Sequence, residues 1–349
     1  MKILIIGGAG FIGINAVYSF LQKGHHVEIV DNLSRKGSEY NLNRLHEKHD
    51  VPFQRIDIRN AEKIREYFEQ NKGYDAVLLL AGQVAVTTSV TNPREDFEVN
   101  ALGTFNVLEG IRLSGEKPLV IYSSTNKVYG NMEDLSIAEF DTRYNYADMP
   151  GGISESRQLD FYSPYGCSKG TGDQYVRDYY RIFGIPTVVF RQSCIYGPNQ
   201  FGIEDQGWVA WFTIATLMEK DITVYGDGKQ IRDVLFVDDL VNLYERAIIN
   251  RKISEGQIYN VGGGPAFTLS LNELIVKLED RFGRKIDKKT SDWRPGDQKV
   301  YVSDITKVKT ELGWEPTTDL AEGINAMAEW IEANKEILNY YVFGVKQMA

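Results

Sequence analysis

The sequence predicts an α/β fold: a doubly wound parallel sheet carrying a smaller carboxyl-terminal α/β lobe. Three observations predict it. Through residue 190 short apolar runs alternate with helix-period segments, the first run ends in glycines that open directly into a helix, and the alternation loosens after residue 190. A chain of 349 residues can bury a core large enough for two lobes. We expect the first to span 1–190, with about 233–262 returning to it, and the second to span 191–232 and 263–349.

The first element is Lys2-Ile3-Leu4-Ile5-Ile6, a continuous apolar run of the kind a parallel strand buried on both faces requires. Gly7-Gly8-Ala9-Gly10-Phe11-Ile12-Gly13 follows, and the helix-period segment to Leu21 begins within it. In this setting Gly7 permits the turn, Gly10 lets the backbone approach a pyrophosphate, and Gly13 lets the helix pack closely on the sheet. Free amides at the helix start would then face the phosphates. Such glycines alone are equally consistent with a plain turn. The next strand, His26 to Val30, ends in Asp31, placed to bind the adenosine ribose hydroxyls of a Rossmann-type dinucleotide site. Its carboxylate would repel a 2′-phosphate, which favours NAD, while Ser34, Arg35 and Lys36 keep NADP open.

Further strands are predicted near 51–56, 75–80, 118–123 and 186–191. Their carboxyl ends, which should line the ligand crevice, hold Asp57-Ile58, Leu80-Ala81-Gly82-Gln83 and Ser123-Ser124-Thr125. Between Gly130 and Ser163 the pattern lapses into a long polar stretch that reads either as a lid over substrate or as a surface excursion. Helices are predicted near 206–219, 238–249, 270–283 and 319–337.

Tyr165 and Lys169 are four residues apart in a helical segment and so share a face. An ammonium beside a phenol favours phenolate, which would make Tyr165 a general base. The same spacing occurs by chance on many helices. Context adds to it: a Ser/Thr cluster ends the preceding strand, and a hydroxyl there could hold a substrate alcohol.

The net charge of −9 and pI near 5.2 argue against nucleic acid or an anionic membrane as partner. No run approaches the roughly 18 apolar residues that span a bilayer, and no cleavage-site pattern follows the first strand, so we expect a cytoplasmic protein. Cys167 and Cys194 form neither a disulfide framework nor metal-ligand spacing and are expected to be buried small hydrophobes. No metal site is expected.

In these motifs the chain resembles the extended short-chain dehydrogenases/reductases, in their nucleotide-sugar epimerase and dehydratase group, over nearly its full length. The glycine fingerprint matches Gly7, Gly10 and Gly13, and the catalytic Ser/Thr, Tyr and Lys match Thr125, Tyr165 and Lys169. Val128-Tyr129-Gly130, Tyr196-Gly197-Pro198 and Arg232-Asp233-Val234 are also family-like. The resemblance implies a cofactor site for NAD that adds Phe11, Ile12, Asp31, Asn32, Ser34, Arg35, Asp57, Ile58, Leu80, Ala81, Gly82, Asn100 and Ser123, with Tyr165 and Lys169 contributing to both cofactor and chemistry. For the sugar nucleotide it implies Gln83, Val84, Thr125, Asn126, Ser193, Cys194, Gln206, Arg232, Arg294 and Asp297. Two arginines suit a diphosphate in an acidic protein, although either could be a surface ion-pair partner.

Dehydratases of this group carry Asp-Glu after the catalytic Thr, whereas Thr125 is followed by Asn126-Lys127. Without that acid-base pair elimination is disfavoured, and oxidation with hydride return, an epimerisation, is left. The wording of 123–130, 158–165 and 205–208 is most like the subgroup that inverts carbon 2 of a CDP-deoxyhexose for lipopolysaccharide O-antigen synthesis. A UDP-hexose 4-epimerase, or a catalytically silent NAD-binding scaffold, are the alternatives. The resemblance further implies a homodimer or homotetramer, packing helices near 92–114 and 164–183.

Overall fold

The computed structural model describes residues 1–294 and 296–345. Seven parallel strands form the main sheet: β1 (Lys2–Ile6), β2 (His26–Asp31), β3 (Phe53–Arg55), β4 (Ala76–Leu79), β5 (Leu119–Thr125), β6 (Thr187–Gln192) and β7 (Ile258–Val261). Their order across the sheet is β7-β6-β5-β4-β1-β2-β3. Alternate residues face opposite layers, so Ile3, Ile5, Leu78 and Ile121 enter one core while Leu4, Ile6, Val77, Leu79 and Val120 enter the other. Both faces of the central strands are covered, which is why β1 from Ile3 onward and β4 read as apolar runs. Strand order reverses between β1 and β4, and the crevice opens at the carboxyl ends there.

The predicted strand bounds hold to within about two residues, β3 being the shortest at Phe53–Arg55. Of the stretch expected to return to this sheet, Ile258–Val261 pairs with β6. Strand Ile231–Phe236 instead organises a second sheet, parallel to Cys194–Tyr196 and Val300–Tyr301 and antiparallel to Thr268–Ser270. Its partners are two or three residues long. Helices Trp208–Leu217, Leu271–Phe282 and Leu320–Ala333 pack on this sheet, the second opened by a capping box between Ser270 and Glu273. The helix predicted near 319–337 is broken at Asn334 into Leu320–Ala333 and Lys335–Tyr341.

The segment 130–163 is fastened to the rest of the molecule rather than loose. It carries an antiparallel hairpin of Ile137–Glu139 and Tyr144–Tyr146. Tyr144 N donates to Lys229 O at 2.9 Å, Ile153 N to Val302 O at 2.8 Å, and Asn260 Nδ2 to Ile153 O at 2.7 Å, so the segment is fastened across both sheets.

Candidate active site

The turn after β1 is built around close approach. Gly7 has φ +91°, and a Cβ there would meet Ala81 N at 2.6 Å; a Cβ on Gly13 would meet Gly7 O at 2.2 Å. Glycine therefore lets helix Phe11–Gln22 start directly above the strand ends, with its free amides facing the crevice. At the end of β2, Asp31 is buried and accepts from Leu33 N at 2.7 Å and Ala9 N at 3.1 Å. Burial raises its carboxyl above the ordinary value, and those amides oppose the rise. Asp57 accepts from Asn32 Nδ2 at 3.0 Å and pairs with Arg59 at 2.7 Å. Chiefly through Arg59 its carboxyl falls to about 2.

A cleft of about 320 Å³ joins these ends. Fourteen of the proposed cofactor residues line it: Gly7, Gly10, Phe11, Ile12, Gly13, Asp31, Asn32, Ser34, Arg35, Asp57, Ile58, Leu80, Ala81 and Gly82. Gln83, Val84 and Gln206, expected at the substrate, line it as well. A glycine cradle that no side chain could share, a helix start above it and a buried acid at the second strand suit the pyrophosphate and ribose of NAD. Asn199, Gln200, Phe201 and Gly202 also line the cleft and were not foreseen, because they lie on an aperiodic loop that arrives from the far side. Phe201 packs against Gly37, whose φ is +82°, and edge-on to Tyr40 and Trp330.

The remaining four cofactor candidates lie behind the cleft floor. Asn100 Oδ1 accepts from Gln83 N at 2.9 Å, while its Nδ2 donates to Gln83 O at 2.9 Å and to Ser168 Oγ at 3.1 Å. The Lys169 amine donates to the Ser123 carbonyl, and a Cβ placed on Gly82 would stand 3.9 Å from it. Ser123 Oγ donates to Gln192 Oε1 at 3.0 Å.

Helix Ser163–Phe183 buries both Tyr165 and Lys169 against β5, and the Thr125 hydroxyl lies beside the phenol. The expectation that Lys169 lowers the Tyr165 pKa is not met here. Burial pushes the phenol up to about 12; Thr125 and the Arg35 charge pull it down, and the buried Asp96 carboxylate pushes it up. Burial likewise lowers the Lys169 ammonium to about 8, against Asp173 and Asp96. Desolvation outweighs pairwise attraction in this pocket.

A second cavity of about 250 Å³ adjoins the cleft, and Val84 and Gln206 line both. Cys194, Arg232, Arg294 and Asp297 line it as expected of a sugar-nucleotide site. Both arginines also have carboxylate partners, so the ion-pair alternative holds in part. Arg232 meets Asp297 at 2.7 Å, and Arg294 meets Asp205 at 3.0 Å with its guanidinium 3.8 Å from the Tyr225 ring centroid. Four substrate candidates do not line the cavity, one of them Gln83, which lines the cleft alone. Thr125 and Asn126 are buried behind it, Asn126 Nδ2 donating to Gln298 Oε1 at 3.4 Å. Ser193 Oγ turns away to Asp233 O at 3.0 Å. Pro295 of the segment Arg294 to Asp297 lies outside the described residues.

Lys127, Glu204, Trp208 and Tyr225 line the cavity without having been singled out. For Lys127 the signal is in the sequence: the pair Asn126-Lys127 that lacks carboxylates also places a cation two residues after Thr125. The cysteines depart from expectation. Cys167 is exposed, and Cys194 is partly buried with its sulfur accepting from Trp208 Nε1 at 3.4 Å. Among the described residues no helix is long and apolar enough to cross a membrane.

Comparison with known proteins agrees with this arrangement. The family model described as GDP-mannose 4,6 dehydratase matches residues 4–327. CDP-paratose 2-epimerase of Salmonella typhi is 44% identical over 335 residues, covering 95% of this chain and 99% of that one. A putative UDP-glucose 4-epimerase of Methanocaldococcus jannaschii is 32% identical over the same shares. Among solved structures, UDP-glucose 4-epimerase of Thermus thermophilus, complexed with NAD, superposes with TM-score 0.81 at 30% identity, covering 95% of this chain and 99% of that one. UDP-glucuronic acid 4-epimerase of Bacillus cereus, complexed with UDP-glucuronic acid and NAD, superposes with TM-score 0.82 at 28% identity and the same coverage.

Proposed function

We propose, for a chain that belongs to the GDP-mannose 4,6-dehydratase family of extended short-chain dehydrogenases/reductases, that it is a NAD-dependent epimerase inverting carbon 2 of a CDP-deoxyhexose. The observation that carries this reading is the catalytic turn. Thr125 stands beside Tyr165 and Lys169, and the next two residues offer an amide and an amine where elimination would need carboxylic acids. The choice of CDP and carbon 2 is supported by the 44% identity to the Salmonella typhi enzyme over nearly the whole of both chains.

Bound NAD supplies a hydride acceptor that can give the hydride back. The chain's own residues do the rest. The Tyr165 phenolate, which the positive charge of an oxidised nicotinamide would favour against the effect of burial, takes the proton from the carbon 2 hydroxyl, Thr125 Oγ1 orients that hydroxyl, and Lys169 keeps positive charge behind the cleft floor. Arg232 and Arg294 hold the nucleotide while the sugar turns, so that its other face meets the cofactor, and Tyr165 then returns the proton. Holding one end of the substrate through that turn is binding energy used for orientation. The pocket walls shield the keto sugar from water during the turn.

In this reading 191–232 and 263–349 form the substrate lobe, the protein works in the cytoplasm on O-antigen precursors, and it assembles as a homo-oligomer. Exposed Phe97, Leu113, Tyr175, Ile182 and Phe183 on the helices near 92–114 and 164–183 support that assembly. Incubation with CDP-paratose and with UDP-glucose, followed by NMR of the sugar ring, tests the substrate choice. Inversion of CDP-paratose at carbon 2 with UDP-glucose unchanged supports it. The converse result assigns the chain to the UDP-hexose 4-epimerases, the reading that the 32% identical Methanocaldococcus relative favours.

A further inference from the structure

We propose that Lys127 is a substrate-holding residue: its ammonium joins Arg232 and Arg294 as the third cation on the substrate's diphosphate, at the end nearest the catalytic turn. The proposal rests on the sugar-nucleotide reading above.

Lys127 belongs to the single helical turn Asn126–Tyr129, and its backbone N donates to Thr125 Oγ1 at 3.3 Å. Any movement of this residue is therefore felt at the catalytic hydroxyl. Its side chain runs into the sugar-nucleotide cavity, where Nζ donates to the carbonyl of Gly296 at 3.1 Å. An ammonium has three donors, and this is the one protein partner found for it among the described residues.

The charges around it are unevenly committed. Arg232, from strand Ile231–Phe236, is taken by Asp297, and Arg294 by Asp205. Glu204 accepts from Tyr225 Oη at 3.3 Å. Among the described residues no carboxylate stands within 4.0 Å of Lys127, so its charge is the one in the cavity that no close carboxylate neutralises. A buried charge is ordinarily paired. An anionic ligand would complete this one. Burial, then the nearby Arg232 guanidinium, lower the ammonium to about 8, while the Asp297 carboxylate acts the other way. An arriving diphosphate would stabilise the charged form, so binding near that pH takes up a proton.

Calorimetry of the NAD-loaded protein tests this, with CDP, UDP and cytidine as probes at pH 8 in buffers of different ionisation enthalpy. The parent is expected to take up on the order of half a proton with CDP. Lys127→Gln should weaken CDP about tenfold or more, abolish the uptake, and leave cytidine affinity and NAD content unchanged. Lys127→Arg should keep CDP affinity while losing the uptake, because a guanidinium stays charged at this pH. CDP affinity within twofold of the parent in Lys127→Gln overturns the proposal. So does equal weakening of cytidine, which would place the amine on the base or ribose. If the parent binds neither CDP nor UDP, the sugar-nucleotide reading falls and takes this one with it; if the parent binds and Lys127→Gln matches it, only Lys127 is misassigned.

Discussion

Tyr165 and Lys169 are both held away from their ordinary protonation equilibria by burial. Removing the phenol oxygen should act on proton transfer and little else, since the glycine cradle lies on other elements. Tyr165→Phe is expected to lower kcat by about 10²–10⁴-fold while the purified protein retains its NAD, read as released cofactor after denaturation. Retained turnover would remove Tyr165 from the mechanism. Lys169 makes a second, thermodynamic prediction. Its folded value, about 8, lies below the ordinary 10.5, so below pH 8 the fold carries the cost of a buried charge. Between pH 8 and about 10 the unfolded chain binds more protons, and stability should rise by up to about 1.4 kcal/mol per pH unit for each such group. Denaturant unfolding at pH 8 and 9.5 should therefore show a smaller rise in Lys169→Met than in the parent. Equal rises would contradict the burial argument. That Thr125, Tyr165 and Lys169 lie together was legible from motif and spacing, but the direction of the phenol shift was not. Spacing reports which groups are neighbours, whereas desolvation depends on everything packed around them.

Among the elements, the turn from β1 into helix Phe11–Gln22 is the least tolerant of change. Gly13→Ala would put a methyl 2.2 Å from Gly7 O and force strand and helix apart. We expect a loss of about 1–3 kcal/mol in stability and cofactor-free protein on purification, measured by denaturant unfolding and by the NAD released. Normal NAD content would mean that the cradle is placed wrongly. This turn could be read directly because three glycines at fixed offsets follow the apolar run Ile3 to Ile6. The second sheet could not. Cys194–Tyr196, Thr268–Ser270 and Val300–Tyr301 are too short for a period of two to register, and each is a strand only because Ile231–Phe236 lies beside it. The hairpin inside 130–163 escaped for the same reason, and the bonds of Tyr144 to Lys229 and of Ile153 to Asn260 and Val302 that fasten the segment reach residues about 85 to 150 positions away in sequence.

At the scale of the whole molecule, one face and one reaction remain to be tested. Helix Gly103–Ser114 packs on helix Ser163–Phe183, Phe105 meeting Tyr175 edge-on at 5.7 Å, and Leu113, Ile182 and Phe183 stay exposed around that seam. If this face joins two copies, Ile182→Glu buries an unpaired charge in the interface and should yield monomers in sedimentation velocity, with an unchanged circular dichroism spectrum. An oligomer that persists would place the contact elsewhere. The central claim is that the hydrogen removed from carbon 2 is returned to carbon 2 from the other side. The direct measurement is incubation with CDP-paratose in deuterium oxide, followed by NMR of the sugar. The account predicts conversion to the carbon 2 epimer with protium kept at carbon 2. Deuterium at that carbon, or no inversion there, would contradict it.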